Sequence, residues 1–222
     1  MRERLPDYAA SQAAYHRAFG AELRQMLADV FRGRVRAALD IACGDGAYAG
    51  WLSQQFGVAV VGLDSNFSFL RLARRRPVQR RAGRQVLSLA GNALTLPFAD
   101  ESFDAVWCAQ SLYSLPDATA VLAEMRRITR PGGTTAVLEN DTLHEVILPW
   151  PPALELAIRQ AEWESFCRET NDPEKFYMGR GLPEAFRSAG FSSCSLKTYA
   201  VSRAAPLDAD AREYLHGYLA RL

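Results

Sequence analysis

Two rhythms of apolar and polar positions take turns along this chain. Tyr15, Phe19, Leu23, Met26, Leu27 and Val30 recur at helical spacing, which predicts an amphipathic helix over residues 8–31, broken at Gly20. An apolar run at 37–42 predicts a strand, helical spacing returns over 48–56, and a second run predicts a strand over 58–63. The series continues with a helix over 67–75, which has Phe67, Leu70 and Leu72 on its apolar side. Strands at 85–90 and 103–109, a helix at 118–128, a turn at Pro131-Gly132-Gly133 and a strand at 134–138 follow. Short apolar runs separated by helical patterns indicate a parallel sheet buried on both faces, with right-handed crossovers stacking helices on alternate sides. The expected fold class is α/β: a doubly wound, mainly parallel sheet.

The pattern changes after residue 139. Residues 140–190 carry Pro149, Pro151 and Pro152, the aromatics Trp150, Trp163, Phe166, Phe176 and Tyr177, and helical stretches at 153–167 and 182–189. Residues 191–201 read as a sixth strand and 206–222 as a closing helix. The chain is thus expected to be a single domain. Residues 1–36 form an N-terminal helical lid, 37–139 the core, 140–190 an insertion, and 191–222 a C-terminal strand and helix.

Composition narrows the partners. With 222 residues, 49% hydrophobic and 23% charged, the chain is long enough for one sizeable core. A formal net charge of +1 gives no global attraction to nucleic acid or to an anionic membrane. Arg71, Arg74, Arg75, Arg76, Arg80, Arg81 and Arg84 make a dense basic run, but no aromatics interleave it, so it reads as a solvated helix end and loop. No apolar run nears the roughly 20 residues of a membrane span. The N-terminus lacks the apolar core of a signal peptide, so the expected compartment is the cytoplasm. Cys43, Cys108, Cys167 and Cys194 show no metal-like spacing; they read as reduced thiols, with Cys43 and Cys108 serving as small buried hydrophobes.

The chemistry concentrates at the carboxyl ends of the first strands. In ALDIACGDGAYAG an apolar run carries Asp40 and feeds a loop with Gly44 and Gly46, ahead of a helix. This arrangement lets backbone approach a nucleotide-type cofactor closely. The second strand ends in Asp64, well placed to accept from ribose hydroxyls.

These segments resemble the class I S-adenosylmethionine-dependent methyltransferases of the small-molecule type. LDIACGDG is similar to that family's glycine motif and GLDSN to its ribose motif. GNALTLPFADESFDAVWCAQSLYSL is similar to the adenine-side motif through strand four, and MRRITRPGGTTAVLE to the segment that ends in strand five. The resemblance implies S-adenosylmethionine as cofactor and assigns roles along the chain. Asp40 would help hold the amino group of the methionine part, and the backbone at Ala42, Gly44 and Gly46 would pass beneath the cofactor. Asp64, with the adjoining Ser65, would bind the ribose. Asn92 and Ala93 would lie beside the adenine, Ala109 and Gln110 would line the methionine side, and Tyr15 on the lid would touch the cofactor. Where the family often has Asp, Asn92 can still accept from the adenine amino group. His144, after strand five, is the candidate general base.

The family fold closes with an antiparallel hairpin of strands six and seven, and no seventh strand can be found here. Either a longer version of the chain supplies that strand, or the sheet ends early, or the open edge beside strand six is covered by a partner such as a second copy of the chain. Two alternatives stand beside methyl transfer to a small, partly apolar molecule. One is a cofactor-binding sensor or complex subunit that no longer methylates. The other is a nicotinamide-dependent oxidoreductase, since Gly44-x-Gly46-x-x-Ala49 also fits the dinucleotide fingerprint.

Overall fold

The computed structural model describes residues 5–76, 85–140, 148–170 and 172–220. Five parallel strands, β1 (Ala38–Ile41), β2 (Ala59–Asp64), β3 (Gln85–Ala90), β4 (Phe103–Ala109) and β5 (Thr129–Leu138), form one sheet in the order β3-β2-β1-β4-β5. The order reverses between β1 and β4, so the crevice beyond their carboxyl ends is where a sheet of this type takes ligands. The expected 8–31 helix is two helices, α1 (Ala9–Ala18) and α2 (Gly20–Val30), which meet at Phe19. The remaining helices are α3 (Ala47–Phe56), α4 (Phe67–Arg75), α5 (Ala118–Ile128), α6 (Pro152–Thr170), α7 (Met178–Ser188) and α8 (Ala209–Leu219).

Successive strand residues feed two separate cores, which is why the strands read as continuous apolar runs. Ala38, Val60, Ala105 and Trp107 pack with Leu23, Leu27 and Phe31 of the α2 segment and with Leu52 of α3. Leu39, Ile41, Leu63, Val106 and Cys108 pack with Val121, Leu122, Met125 and Ile128 of α5 and Leu182 of α7. The sheet is therefore covered on both faces, as the sequence predicts. Asp104 fastens the entry to β1: its Oδ2 accepts from the amides of Arg36 (2.8 Å) and Ala37 (3.0 Å), and its Oδ1 from Arg130 (3.0 Å). The Pro131-Gly132-Gly133 turn lies inside β5. There the register jumps from Phe103–Thr129 to Ala105–Thr134, so the extra residues are accommodated as an irregularity in the ladder.

The sixth strand does not form. Residues 193–200 have no assigned secondary structure, and among the described residues the sheet ends at β5. The apolar positions explain this. Phe191, Tyr199 and Val201 share one parity, whereas Leu196 has the other, so no single register turns them all to one face. Leu196, Tyr199 and Val201 are exposed. Between this segment and β5 lies a cavity of about 2520 Å³, lined by Thr134, Ala136, Leu138, Leu196, Thr198 and Ala200 among others. The open edge is thus that of β5 rather than of a sixth strand, and no seventh strand is found among the described residues.

Candidate active site

The site is assembled where β1, β2, β4 and β5 end. Asp40, buried near the end of β1, accepts from the Ala49 amide at 2.9 Å and so braces the first turn of α3. Burial pushes its carboxyl well above the ordinary range, although the Ala49 bond opposes this. A buried acid in this state gains from a cation brought beside it.

The loop that follows is shaped by left-handed backbone at Ala42, Gly44 and Gly46, with φ of 53°, 52° and 76°. A Cβ on Gly44 would stand 3.2 Å from Nε2 of Gln12 on α1, so that stretch of backbone faces α1. Gly46 has a different reason to be glycine: its Cβ would lie 2.9 Å from Cβ of Ala73 on α4. Close loop-to-helix packing excludes a side chain there before any ligand is considered.

Asp64 ends β2 with both oxygens engaged. Oδ2 accepts from the Gly44 amide and Oδ1 from the Asn66 amide, each at 2.8 Å. The ribose acid of the resemblance therefore also holds the glycine loop in shape. Ser65 is exposed beside it. Asn92 accepts from the Leu94 amide at 3.0 Å and bridges to Thr95, which fixes a tight turn after β3, and Ala93 is buried beneath. Ala109 ends β4, buried. Gln110 follows with φ of 50° and donates from Nε2 to Oδ1 of Asn140 at 3.1 Å, which ties the ends of β4 and β5. Tyr15 is half-buried, its ring against those of His16, Phe19 and Tyr214. His144 lies outside the described residues, as do Arg80, Arg81 and Arg84 of the basic run. Arg76 of that run pairs with Asp45, so part of the cluster is used structurally. Cys43 and Cys108 are buried thiols whose pKa is pushed up by burial, as expected of small core residues rather than nucleophiles.

Three further groups gather at the site. Asp45, between the two glycines, is held at about 2: burial works against its charge, but His16 and Arg76 outweigh it. His16 comes from α1, 5% exposed, with Nδ1 3.5 Å from Oδ1 of Asp45. Glu139, just past β5, accepts through Oε1 from the amides of Ser111 (3.1 Å) and Leu112 (2.7 Å), yet burial pushes its carboxyl up to about 7. The sequence signals were faint: Gln12 and His16 stand four apart on one helix face, and Glu139 directly follows an apolar run.

Glu139 should leave a trace in pH-dependent stability. Its folded-state value of about 7 lies above the ordinary 4.5, so the folded protein prefers the neutral acid. That stabilisation is complete below pH 4.5 and is lost as pH rises through about 7. Glu139→Gln keeps an acceptor for the two amides but cannot titrate. Its unfolding free energy should therefore fall less than the wild type's across that window, measured by urea titration at several pH values. Parallel curves would show that Glu139 is already ionised in the folded protein.

The residues suit S-adenosylmethionine. A glycine backbone with left-handed turns, an acid at each of two adjacent strand ends and buried polar atoms without partners near the loop are what a zwitterionic nucleoside ligand requires.

Comparison with known proteins agrees. A family described as "Methyltransferase domain" matches residues 39–137. The demethylmenaquinone methyltransferase of Geobacillus kaustophilus is 32% identical over 180 residues, covering 77% of this chain and 76% of that protein. Methyltransferase GfsG of Streptomyces halstedii is 37% identical over 101 residues, covering 46% of this chain and 36% of that protein. A solved Methanococcus maripaludis structure, a candidate S-adenosyl-L-methionine-dependent methyltransferase, shares the fold at 19% identity, with a TM-score of 0.60 over 87% of this chain and 90% of that one. The chain belongs to the class I S-adenosylmethionine-dependent methyltransferases, and S-adenosylmethionine is its cofactor. Family membership decides against the nicotinamide reading of the glycine loop. No helix among the described residues is long and apolar enough to cross a membrane.

Proposed function

We propose that this protein methylates a small, partly apolar molecule carrying an aromatic ring, of the reduced-quinone type. The observation that carries this reading is the aromatic pair of Tyr113 and Phe166 just past the carboxyl end of β4. Tyr113, in the turn after β4, faces Phe166 of α6 with ring centroids 6.4 Å apart, and Tyr113, Trp163 and Tyr177 are all exposed. Exposed aromatics grouped beside a cofactor crevice suit a flat apolar substrate. The similarity to demethylmenaquinone methyltransferases supports the same class.

When bound, S-adenosylmethionine supplies a methyl group activated by a positively charged sulfur. The chain's own part is to align the acceptor with that methyl and to exclude water, and alignment alone yields much of the rate. In this reading Glu139 is the group that takes a proton from the substrate, because a carboxyl near 7 is matched to neutral pH. Gln110 and Asn140 hold the floor between β4 and β5. The outer edge of β5, unpaired among the described residues, is where a second copy of the chain would pair.

The test is to incubate the protein with S-adenosylmethionine and a reduced naphthoquinone bearing an apolar side chain, and to measure S-adenosylhomocysteine. Its formation at a rate dependent on the quinol is expected. Folded protein that binds S-adenosylmethionine but forms no product with this substrate would overturn the substrate class. Failure across all small-molecule classes would favour the non-catalytic sensor.

A further inference from the structure

Tyr8, Gln12 and His16 recur every four residues, so they form one stripe at the start of and along α1. That stripe crosses the glycine loop from end to end. Tyr8 packs on Phe69 of α4 at 6.0 Å and feels the charge of Asp64. Gln12 stands over Gly44. His16 meets Asp45 at 3.5 Å and packs edge-on against Tyr48 (5.2 Å) and Trp51 (5.6 Å) of α3. α8 holds the helix down on its other side, through Arg17 with Asp210 (3.1 Å) and Glu213 (2.6 Å) and through Tyr214 on Tyr15 and Phe19.

The stripe leaves polar groups unsatisfied. Gln12 Oε1, His16 Nε2 and Tyr48 Oη are buried with no hydrogen-bond partner among the described residues, while His16 Nδ1 faces Asp45. Each such atom gives up its bond to water without replacement, so a folded protein does not collect them in one place without use. Their surroundings carry both signs of chemistry. Asp40, a buried carboxylate beneath the loop whose Oδ2 accepts from the Ala49 amide, is an acceptor suited to a cation. The Tyr48 hydroxyl and the His16 ring supply N–H and O–H donors that suit a carboxylate.

We propose that Gln12, His16 and Tyr48 recognise the zwitterionic amino-acid end of S-adenosylmethionine. The reading rests on the cofactor assignment above. Tyr48 and His16 donate to the carboxylate oxygens, while Asp40 and Gln12 Oε1 accept from the ammonium. The stripe then follows the length of the cofactor, with Tyr8 toward Asp64 and the ribose and His16 toward the amino acid. Because the unsatisfied atoms have no solvent access, α1 lifts to admit the ligand and settles back onto it.

Two ligands separate this role from a structural one: S-adenosylhomocysteine, which carries the amino-acid end, and 5′-methylthioadenosine, which lacks it. Tyr48→Phe removes only the unsatisfied hydroxyl, and His16→Phe keeps an aromatic ring against Tyr48 and Trp51. By calorimetry, each variant should bind S-adenosylhomocysteine about ten- to a hundredfold more weakly, the cost of a hydrogen bond to a charged group. Binding of 5′-methylthioadenosine should stay within about twofold of wild type, because this ligand leaves those bonds unmade in either protein. Tyr48→Phe should unfold at the same temperature as wild type or higher. Unchanged S-adenosylhomocysteine binding, or equal weakening of both ligands, would overturn the proposal. Wild-type protein that binds 5′-methylthioadenosine as tightly as S-adenosylhomocysteine would overturn this subsite alone. Wild-type protein that binds neither would take down the cofactor assignment with it.

Discussion

Asp64→Ala should weaken S-adenosylmethionine binding by about 2–3 kcal/mol, roughly a 30- to 150-fold rise in dissociation constant. Two losses combine. The ribose hydroxyls lose a charged acceptor, and the Gly44 amide loses the Oδ2 that holds it at 2.8 Å. The loop is then free to relax away from the shape that admits the ligand. Asp64→Asn separates the two, because an amide oxygen can still accept from one backbone N–H while carrying no charge. It should recover part of the loss. The fold should survive in both variants, since the residue sits at a strand end and its neighbours Leu63 and Val60 keep their packing. Isothermal titration decides the matter: an unchanged dissociation constant in Asp64→Ala would place the ribose elsewhere.

Gly46→Val should lower folding stability by about 2–4 kcal/mol and abolish cofactor binding as a consequence. The backbone at φ of 76° is strained for a β-branched residue. The new side chain would also overlap Ala73, whose Cβ is 2.9 Å from the position of the added Cβ, and overpacking of this kind costs about 1–3 kcal/mol. Opening the space with Ala73→Gly should return the overlap part in the double variant and leave the backbone part. A Gly46→Val protein with wild-type stability and lost binding would mean that the cofactor, not α4, excludes the side chain.

The distinction at Gly46 shows where sequence reading stopped. ALDIACGDG identifies a glycine loop, but it cannot say what each glycine approaches, because Ala73 is 27 residues away (73 less 46) and reaches the loop only through the packing of α4. The same holds for α1. Its apolar spacing through Tyr15 and Phe19 was legible, and so was its role as a cover. The polar stripe Tyr8-Gln12-His16 carried only a faint signal, since polar residues four apart on a helix usually face water. Only the placement of α1 across the Gly44–Gly46 loop turns that face inward.

The C-terminal third divides in the same way. Helices α6 and α8 were expected near their observed positions, because their helical stretches lie behind proline or Asp starts. The strand expected at 191–201 was not formed, because a short apolar-rich run does not make a strand unless its alternation holds one phase against a partner. Glu139 is legible only as the residue that follows an apolar run, and the burial among the ends of β4 and β5 that raises its pKa belongs to the tertiary structure.

What the sequence determined by itself was the order of strands and helices, the double-sided burial of the sheet and the acids at the ends of β1 and β2. These are local: a run of apolar residues followed by a turn specifies its own element and its own end. What only the tertiary structure decided was which groups from distant elements meet there. His16 beside Asp45, Tyr48 against His16 and Trp107, and Ala73 against Gly46 are contacts between segments that no local pattern relates. Packing brings them together because each helix must bury its apolar stripe against the same sheet.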